Sequence, residues 1–340
     1  LAITPYALSL IEYDEQLNPV ESDPIWNQFR FLKDNERSGA TDYDGARENW
    51  EAPEEMPTPI LHHKYPDRAI FRITNTCFGH CNYCYLTSRV LDKERQKEKF
   101  GDSADWSKSL DYLRANPQIR DVLISGGDPL IMENGRIDQV LTDLARVKSV
   151  QSVRINTRAL TYNPFRFDLE LVRIIKKHRV TALEIHVAHP RELSEAVDER
   201  LTLLDESGHR PLILWRAPLL YGINDSENVL KELLVKLYQR RITPYYLFHF
   251  APYALGRTAH GISIRRGAEL LSRIRRQIPG PAFPQYALFH IAGKHDIPLD
   301  PGGTPNFIYG RDDKNRPIVR FKNWKNDWVT YADVEDEPAG

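Results

Sequence analysis

All three cysteines of this 340-residue chain fall within eight residues, as Cys77-Phe-Gly-His-Cys81-Asn-Tyr-Cys84. Thiolates confined to one short loop can wrap a single metal centre. On a four-iron cluster, three sulfur ligands leave one iron open to a further ligand. With His80 or another histidine as fourth ligand, the same loop suits a tetrahedral zinc ion. The bland alternative is three unrelated buried thiols, and it leaves both their confinement and the lack of any other cysteine unexplained. Farther along, Leu123-Ile-Ser-Gly-Gly-Asp-Pro-Leu130 carries Ser125, Gly126, Gly127 and Asp128. Two glycines let backbone approach a bound molecule closely, although Gly-Gly-Asp is more often a plain turn. Asn156, Arg158, His186 and His189 stand at the ends of apolar runs, as does Arg216. For the two histidines the competing role is a hydrogen-bonded core or capping residue.

These residues need a scaffold, and the pattern supplies one. From about residue 69, short apolar runs alternate with amphipathic stretches. The runs are Ala69–Thr74, Asp121–Ser125, Val153–Asn156, Ala182–Val187, Leu212–Pro218 and Tyr245–Phe250. Between them, sets such as Leu171, Ile174 and Ile175, or Val229, Leu230, Leu233, Leu234 and Leu237, share one helix face at spacings of three and four. Repeated strand–helix units imply parallel strands. Six units are too few for a closed eight-stranded barrel, so the expected fold is α/β, a partial (β/α)6 barrel, with a doubly wound sheet as competitor. In either, ligands bind at the carboxyl ends of the strands, where the polar residues above fall.

Residues 1–68 read as an N-terminal extension, 69–279 as the barrel and 280–340 as a C-terminal β-rich covering segment. Asp34–Pro59 is polar and rich in turn formers, and is expected to be a surface loop. After Pro279 the alternation is expected to stop, with short antiparallel strands at Phe307–Gly310, Ile318–Lys322 and Trp328–Tyr331. Lys+Arg total 46 against 47 Asp+Glu, so no long-range field favours nucleic acid or an anionic membrane. Apolar stretches such as Leu212–Trp215 fall short of the roughly 18 residues of a membrane helix. An odd, small number of cysteines and no secretory signal imply a cytoplasmic enzyme.

The spacing CxxxCxxC, with Tyr83 before the last cysteine, resembles the signature of radical S-adenosylmethionine enzymes. The resemblance implies a [4Fe–4S] cluster on Cys77, Cys81 and Cys84 whose open iron chelates S-adenosylmethionine. One electron then cleaves the sulfonium to a 5′-deoxyadenosyl radical. Ser125, Gly126, Gly127 and Asp128 match the family's loop for the amino group of S-adenosylmethionine, with Tyr83, Asn156, Arg158 and His186 nearby. The chain as a whole is similar to the lysine 2,3-aminomutase family, from Ala2-Ile-Thr-Pro-Tyr6 through Lys64-Tyr-Pro-Asp-Arg68, Leu219-Leu-Tyr-Gly-Ile-Asn-Asp225 and Pro244-Tyr-Tyr246 to Pro305-Asn306. That family forms an imine between its amino-acid substrate and pyridoxal 5′-phosphate, and moves the amino group to the β-carbon.

The likeness implies Lys294 as the catalytic, pyridoxal-bearing lysine, with Lys64, Tyr65 and Arg68 near the phosphate. Arg216 would meet phosphate or a substrate carboxylate. A single glycine precedes Lys294, and two extra residues separate it from Ile297-Pro298. Other departures concern the substrate. The family's carboxylate-binding arginine is Leu86 here, with Arg89 following, and its two ammonium-binding carboxylates correspond to Ala251 and Ala287. An ammonium buried without a counter-charge costs several kcal/mol, so an amino acid other than lysine is expected. The zinc cysteines of some relatives are missing. Expected partners are a small-molecule amino acid, an electron donor such as flavodoxin or ferredoxin, and further copies of the chain in a homo-oligomer. The alternatives are a pyridoxal-independent radical enzyme, such as an epimerase or dehydrogenase, and a non-catalytic iron–sulfur or zinc protein.

Overall fold

The apolar runs become the strands of one sheet. A computed structural model describes residues 3–30, 52–86, 103–251, 257–299, 306–323 and 325–335. Arg89 and residues 34–51 of the expected surface loop lie outside them. Strands β2 (Arg68–Thr74), β3 (Asp121–Gly126), β4 (Ser152–Thr157), β5 (Ala182–Ile185), β6 (Leu212–Pro218) and β7 (Thr243–Phe248) match the six expected runs. Each pairs in parallel with the next, in sequence order. Strand β5 stops at Ile185, two residues short of its apolar run, and β7 begins and ends two residues early.

Between the strands run helices whose buried faces follow from leucine and isoleucine spacing. In Glu227–Gln239, Ser226 caps the N-terminus by accepting from Val229 N, and Leu230, Leu233, Leu234 and Leu237 are buried. Asp168 caps Leu169–Lys177 in the same way, above buried Leu171, Val172, Ile174 and Ile175. These faces and the strand side chains, among them Phe71, Ile124, Ile155, Leu183 and Leu247, form one continuous core. Among the described residues, no helix is long and apolar enough to cross a membrane.

The alternation does not stop at Pro279. After helix Ile264–Ile274, β8 (Gln285–His290) adds a seventh parallel strand beside β7. A short hairpin then returns as β9 (Gly293–Asp296), antiparallel to β8. At the other edge, β1 (Leu61–Tyr65) runs antiparallel to β2. The nine-stranded sheet curls until its edges meet. The Lys64 ammonium donates to Ile291 O, and the Tyr65 hydroxyl accepts from Lys294 N at 2.9 Å. The six strand–helix units of the expected partial barrel are therefore closed by side chains rather than by a strand ladder.

The C-terminal strands appear as expected: β10 (Phe307–Arg311), β11 (Pro317–Lys322) and β12 (Trp328–Ala332) form a separate antiparallel sheet. Asp312 and Asn323 accept from backbone N–H groups two and four residues on, and Asn315 and Asn326 take left-handed φ of 58° and 68° in the turns. That conformation suits asparagine. The sheet covers the barrel rim, where the Tyr331 hydroxyl donates to Phe250 O and Asp333 accepts from Ile264 N.

Candidate active site

Sixteen residues singled out from sequence line a single cavity of about 510 Å³. They are Cys77, Cys81, Tyr83 and Cys84; Ser125 to Asp128; Asn156, Arg158 and His186; Lys64, Tyr65, Arg68, Arg216 and Lys294. His189 is not among its walls. Its ring accepts from Arg191 N and caps the turn Pro190–Glu192, the capping role set against a binding one.

The cysteine loop follows β2. Gly127 N donates to Thr74 O at 2.6 Å and Asp128 N to Thr76 O at 2.7 Å, so the β3 loop is laced to the residues leading into Cys77. A Cβ on Gly126 (φ +126°) would lie 2.1 Å from Thr74 O, and one on Gly127 2.2 Å from Thr76 O. The glycines are thus required by the chain's own backbone, where the sequence suggested close approach to a ligand. Asp128 is likewise engaged internally: it accepts from Leu130 N, Arg158 N and the Thr157 hydroxyl, while burial pushes its carboxyl up to about 6.

The far side of the loop is held by Asn82, which donates to Asn27 O and Arg30 O and accepts from His260. None of the three cysteines is in a disulfide and all are partly buried, and burial pushes the Cys77 thiol up. Around a single zinc ion, sulfurs about 2.3 Å from the metal sit within ~4 Å of each other. Among the described residues no three His, Cys, Asp or Glu side chains stand grouped around one metal position, and His80, the candidate fourth zinc ligand, is exposed. Three cysteine thiols on one loop are the donor set that a four-iron cluster takes, with one iron left open.

Arg158 is that guanidinium. Its Nη1 donates to Cys81 Sγ at 2.8 Å and to the Tyr83 hydroxyl at 2.6 Å, while Nη2 meets Glu192 at 3.0 Å. Tyr83 in turn reaches His186 at 3.3 Å, and burial with Arg158 and Arg216 holds that imidazole well below its usual range, hence neutral.

Across the cavity, Glu184 at the end of β5 is fully buried and meets Arg154 and Arg216, the latter at 2.7 Å. Burial would raise its carboxyl, but the two guanidiniums hold it below the usual range. The Lys294 ammonium lies 4.8 Å from the Tyr246 ring centre and 5.7 Å from that of Phe248. The side chain is open to the cavity's solvent, yet the protein crowded around it, then Arg216, brings it down to about 8, with Glu184 opposing. Cations and aromatic faces around a free lysine fit pyridoxal phosphate. Lys64, however, reaches out of the cavity to Glu55 at 2.6 Å and to Ile291 O, where it serves the barrel seam. Ala251 and Leu86 line the cavity; Ala287 does not, and from β8 it is Phe289 and His290 that do. Among the described residues Asp128 is the one carboxylate in its walls.

Comparison with known proteins agrees with this arrangement. Residues 71–228 match the Radical SAM superfamily, a class in which the three-cysteine loop carries a [4Fe–4S] cluster that acts on S-adenosylmethionine. The chain is 30% identical to L-lysine 2,3-aminomutase of Clostridium subterminale over 98% of its own length and 75% of that protein's. Glutamate 2,3-aminomutase of Clostridioides difficile is equally similar, 30% over 99% of this chain and 74% of its own. The chain belongs to the lysine 2,3-aminomutase family. Coproporphyrinogen III oxidase of Escherichia coli, a radical SAM enzyme, aligns with 55% of this chain and 45% of its own at 12% identity and a TM-score of 0.37, too low to add to the sheet order given above.

Proposed function

We propose that this enzyme moves the α-amino group of an amino acid other than lysine to its β-carbon, with a cluster on Cys77, Cys81 and Cys84 and pyridoxal phosphate on Lys294. One observation carries the reading: the three thiols and the free lysine open into the same cavity. When bound, the cluster supplies the electron that opens the sulfonium, and the pyridine ring spreads an unpaired electron during migration.

The chain's own residues do the rest. Ser125 and Asn156 present side-chain polar groups beside the cysteine loop, where S-adenosylmethionine would bind, and the Gly126–Asp128 turn fixes their approach. Neutral His186 and Tyr83 wall that side. Arg216, oriented by Glu184, and Arg68 offer positive charge to phosphate or carboxylate. Phe248, Phe250, Phe289, Leu86 and Ala251 exclude water around the substrate's side chain. A lysine substrate would bring a second ammonium into walls that present cations and, among the described residues, a single carboxylate that is already engaged. Its desolvation would go uncompensated, and this supports an uncharged or acidic amino acid. The relatives' names, lysine and glutamate 2,3-aminomutase, show that one family serves side chains of either charge.

The test incubates anaerobically reconstituted protein with reductant, S-adenosylmethionine and single amino acids, read for 5′-deoxyadenosine and β-amino isomers by mass spectrometry. A β-isomer from a non-lysine amino acid is expected. Deoxyadenosine without any β-isomer, together with no borohydride-trapped pyridoxyl group on Lys294, would leave a radical enzyme that works without pyridoxal phosphate. Absence of deoxyadenosine would remove the radical reading altogether.

A further inference from the structure

The Cys81 sulfur meets a buried cation. The Arg158 guanidinium has its Nη1 edge 2.8 Å from Cys81 Sγ and its Nη2 edge 3.0 Å from Glu192, so it lies between sulfur and carboxylate. Its setting allows one position. The Arg158 guanidinium stacks 3.7 Å from the Tyr162 ring centre and bonds to Gln28 Oε1 at 2.5 Å. Glu192 is fully buried and its other oxygen accepts from Gln28, Ala188 N and His189 N. Every neighbour is thus fixed by another, and the cation cannot swing away from the sulfur without leaving a buried carboxylate unpaired.

We infer that Arg158 is a positioning residue that sets the reduction potential of the cluster through its hydrogen bond and charge at Cys81. The inference rests on the three cysteines holding a four-iron cluster. Reduction adds one electron, supplied by an external one-electron donor such as dithionite, and moves no proton. The added negative charge spreads onto the ligating sulfurs. A fixed cation and an N–H donor at one sulfur stabilise that reduced form, so they raise the potential.

The experiment is an EPR-monitored redox titration of anaerobically reconstituted, full-length protein, without substrate. Two variants are compared with wild type. Arg158→Lys keeps a charge opposite Glu192 but loses the fork that holds Sγ with Nη1 and Glu192 with Nη2. The paired exchange Arg158→Met with Glu192→Gln removes cation and carboxylate together, so no lone buried charge remains. Both are expected to retain iron, sulfide and the cluster's absorption, and to have more negative midpoint potentials, the paired exchange the more so. For it, a tenfold loss in the reduction equilibrium is expected, which is 59 mV for one electron.

Equal potentials in wild type and either cluster-loaded variant would overturn the inference. Should the paired exchange fail to load, Arg158→Lys alone decides. Wild-type protein without iron and sulfide in four-iron stoichiometry would instead retire the cluster itself, a distinct failure seen before any potential is measured.

Discussion

Lys294 and Gly126 show how single residues report on the site. The Lys294 amine is brought down to about 8, whereas an ordinary lysine near 10.4 remains protonated there. A group lowered in this way is cationic below pH 8 and increasingly a free nucleophile above it. A brief pulse of limiting acetic anhydride, stepped through pH and read by peptide mass spectrometry, should label Lys294 with a midpoint near 8, ahead of the other lysines. A midpoint shared with those lysines would contradict the cavity placement. Gly126 makes a contrasting case. Gly126→Ala would place a methyl 2.1 Å from Thr74 O at a φ of +126°, which L-residues rarely adopt. The backbone strain alone costs about 1–3 kcal/mol, and the clash adds to it, so a loss of roughly 3 kcal/mol or more by urea denaturation is expected, with reduced iron uptake. Gly135→Ala, where nothing lies within 4 Å of the new methyl, should stay within about 1 kcal/mol of wild type, on the stabilising side.

At the level of elements, the barrel is closed by a seam, and the seam is where sequence reasoning fell short. The six parallel strands were legible because each is a run of apolar or β-branched residues set off by amphipathic helices. Strand β1 is Leu-His-His-Lys-Tyr and β9 is Gly-Lys-His-Asp, and neither has an apolar face to betray it. Strand β8 was hidden by the prolines before it. They suggested a break in alternation where the chain in fact makes one more parallel crossing. As a result Lys294, placed from sequence in the segment that follows the barrel, lies on an edge strand facing β1. The site residues themselves were legible because strand C-termini collect polar groups. The Arg158–Glu192–Gln28 cluster was not, since those residues are brought together by the fold from three distant segments. The seam predicts that Tyr65→Phe, which removes the acceptor for Lys294 N, costs about 1 kcal/mol in urea denaturation. In hydrogen-exchange mass spectrometry, peptides spanning 285–298 should then lose protection while those of β3 and β4 keep theirs. Unchanged exchange there would mean the edges are held by other contacts.

For the molecule as a whole, the cysteine loop is the point at which distant segments meet. Residues 3–30 rest against the barrel through a small cluster of Ala7, Ile11, Ile25, Phe29 and Tyr162, separate from the main core. Their polar contacts lead straight to the cysteines. Asn82 is held by the carbonyls of Asn27 and Arg30, and Gln28 binds Tyr83, Arg158 and Glu192. On the opposite flank His260 reaches Asn82 from beyond β7. The cluster proposed on Cys77, Cys81 and Cys84 would stabilise whatever depends on that loop, and its removal would destabilise the same parts by mass action. The main core, buried behind helices such as Glu227–Gln239, has no such dependence. Stripping iron with a chelator under reducing conditions should therefore raise hydrogen exchange in residues 3–30 and 77–86 far more than in β4, β5 or β6. A uniform rise over the whole sheet would show instead that metal and barrel fold as one unit. Local opening is favoured by the sizes involved: five buried residues anchor the N-terminal segment, against several dozen in the main core, and the smaller unit is the one expected to open first when its tether is lost.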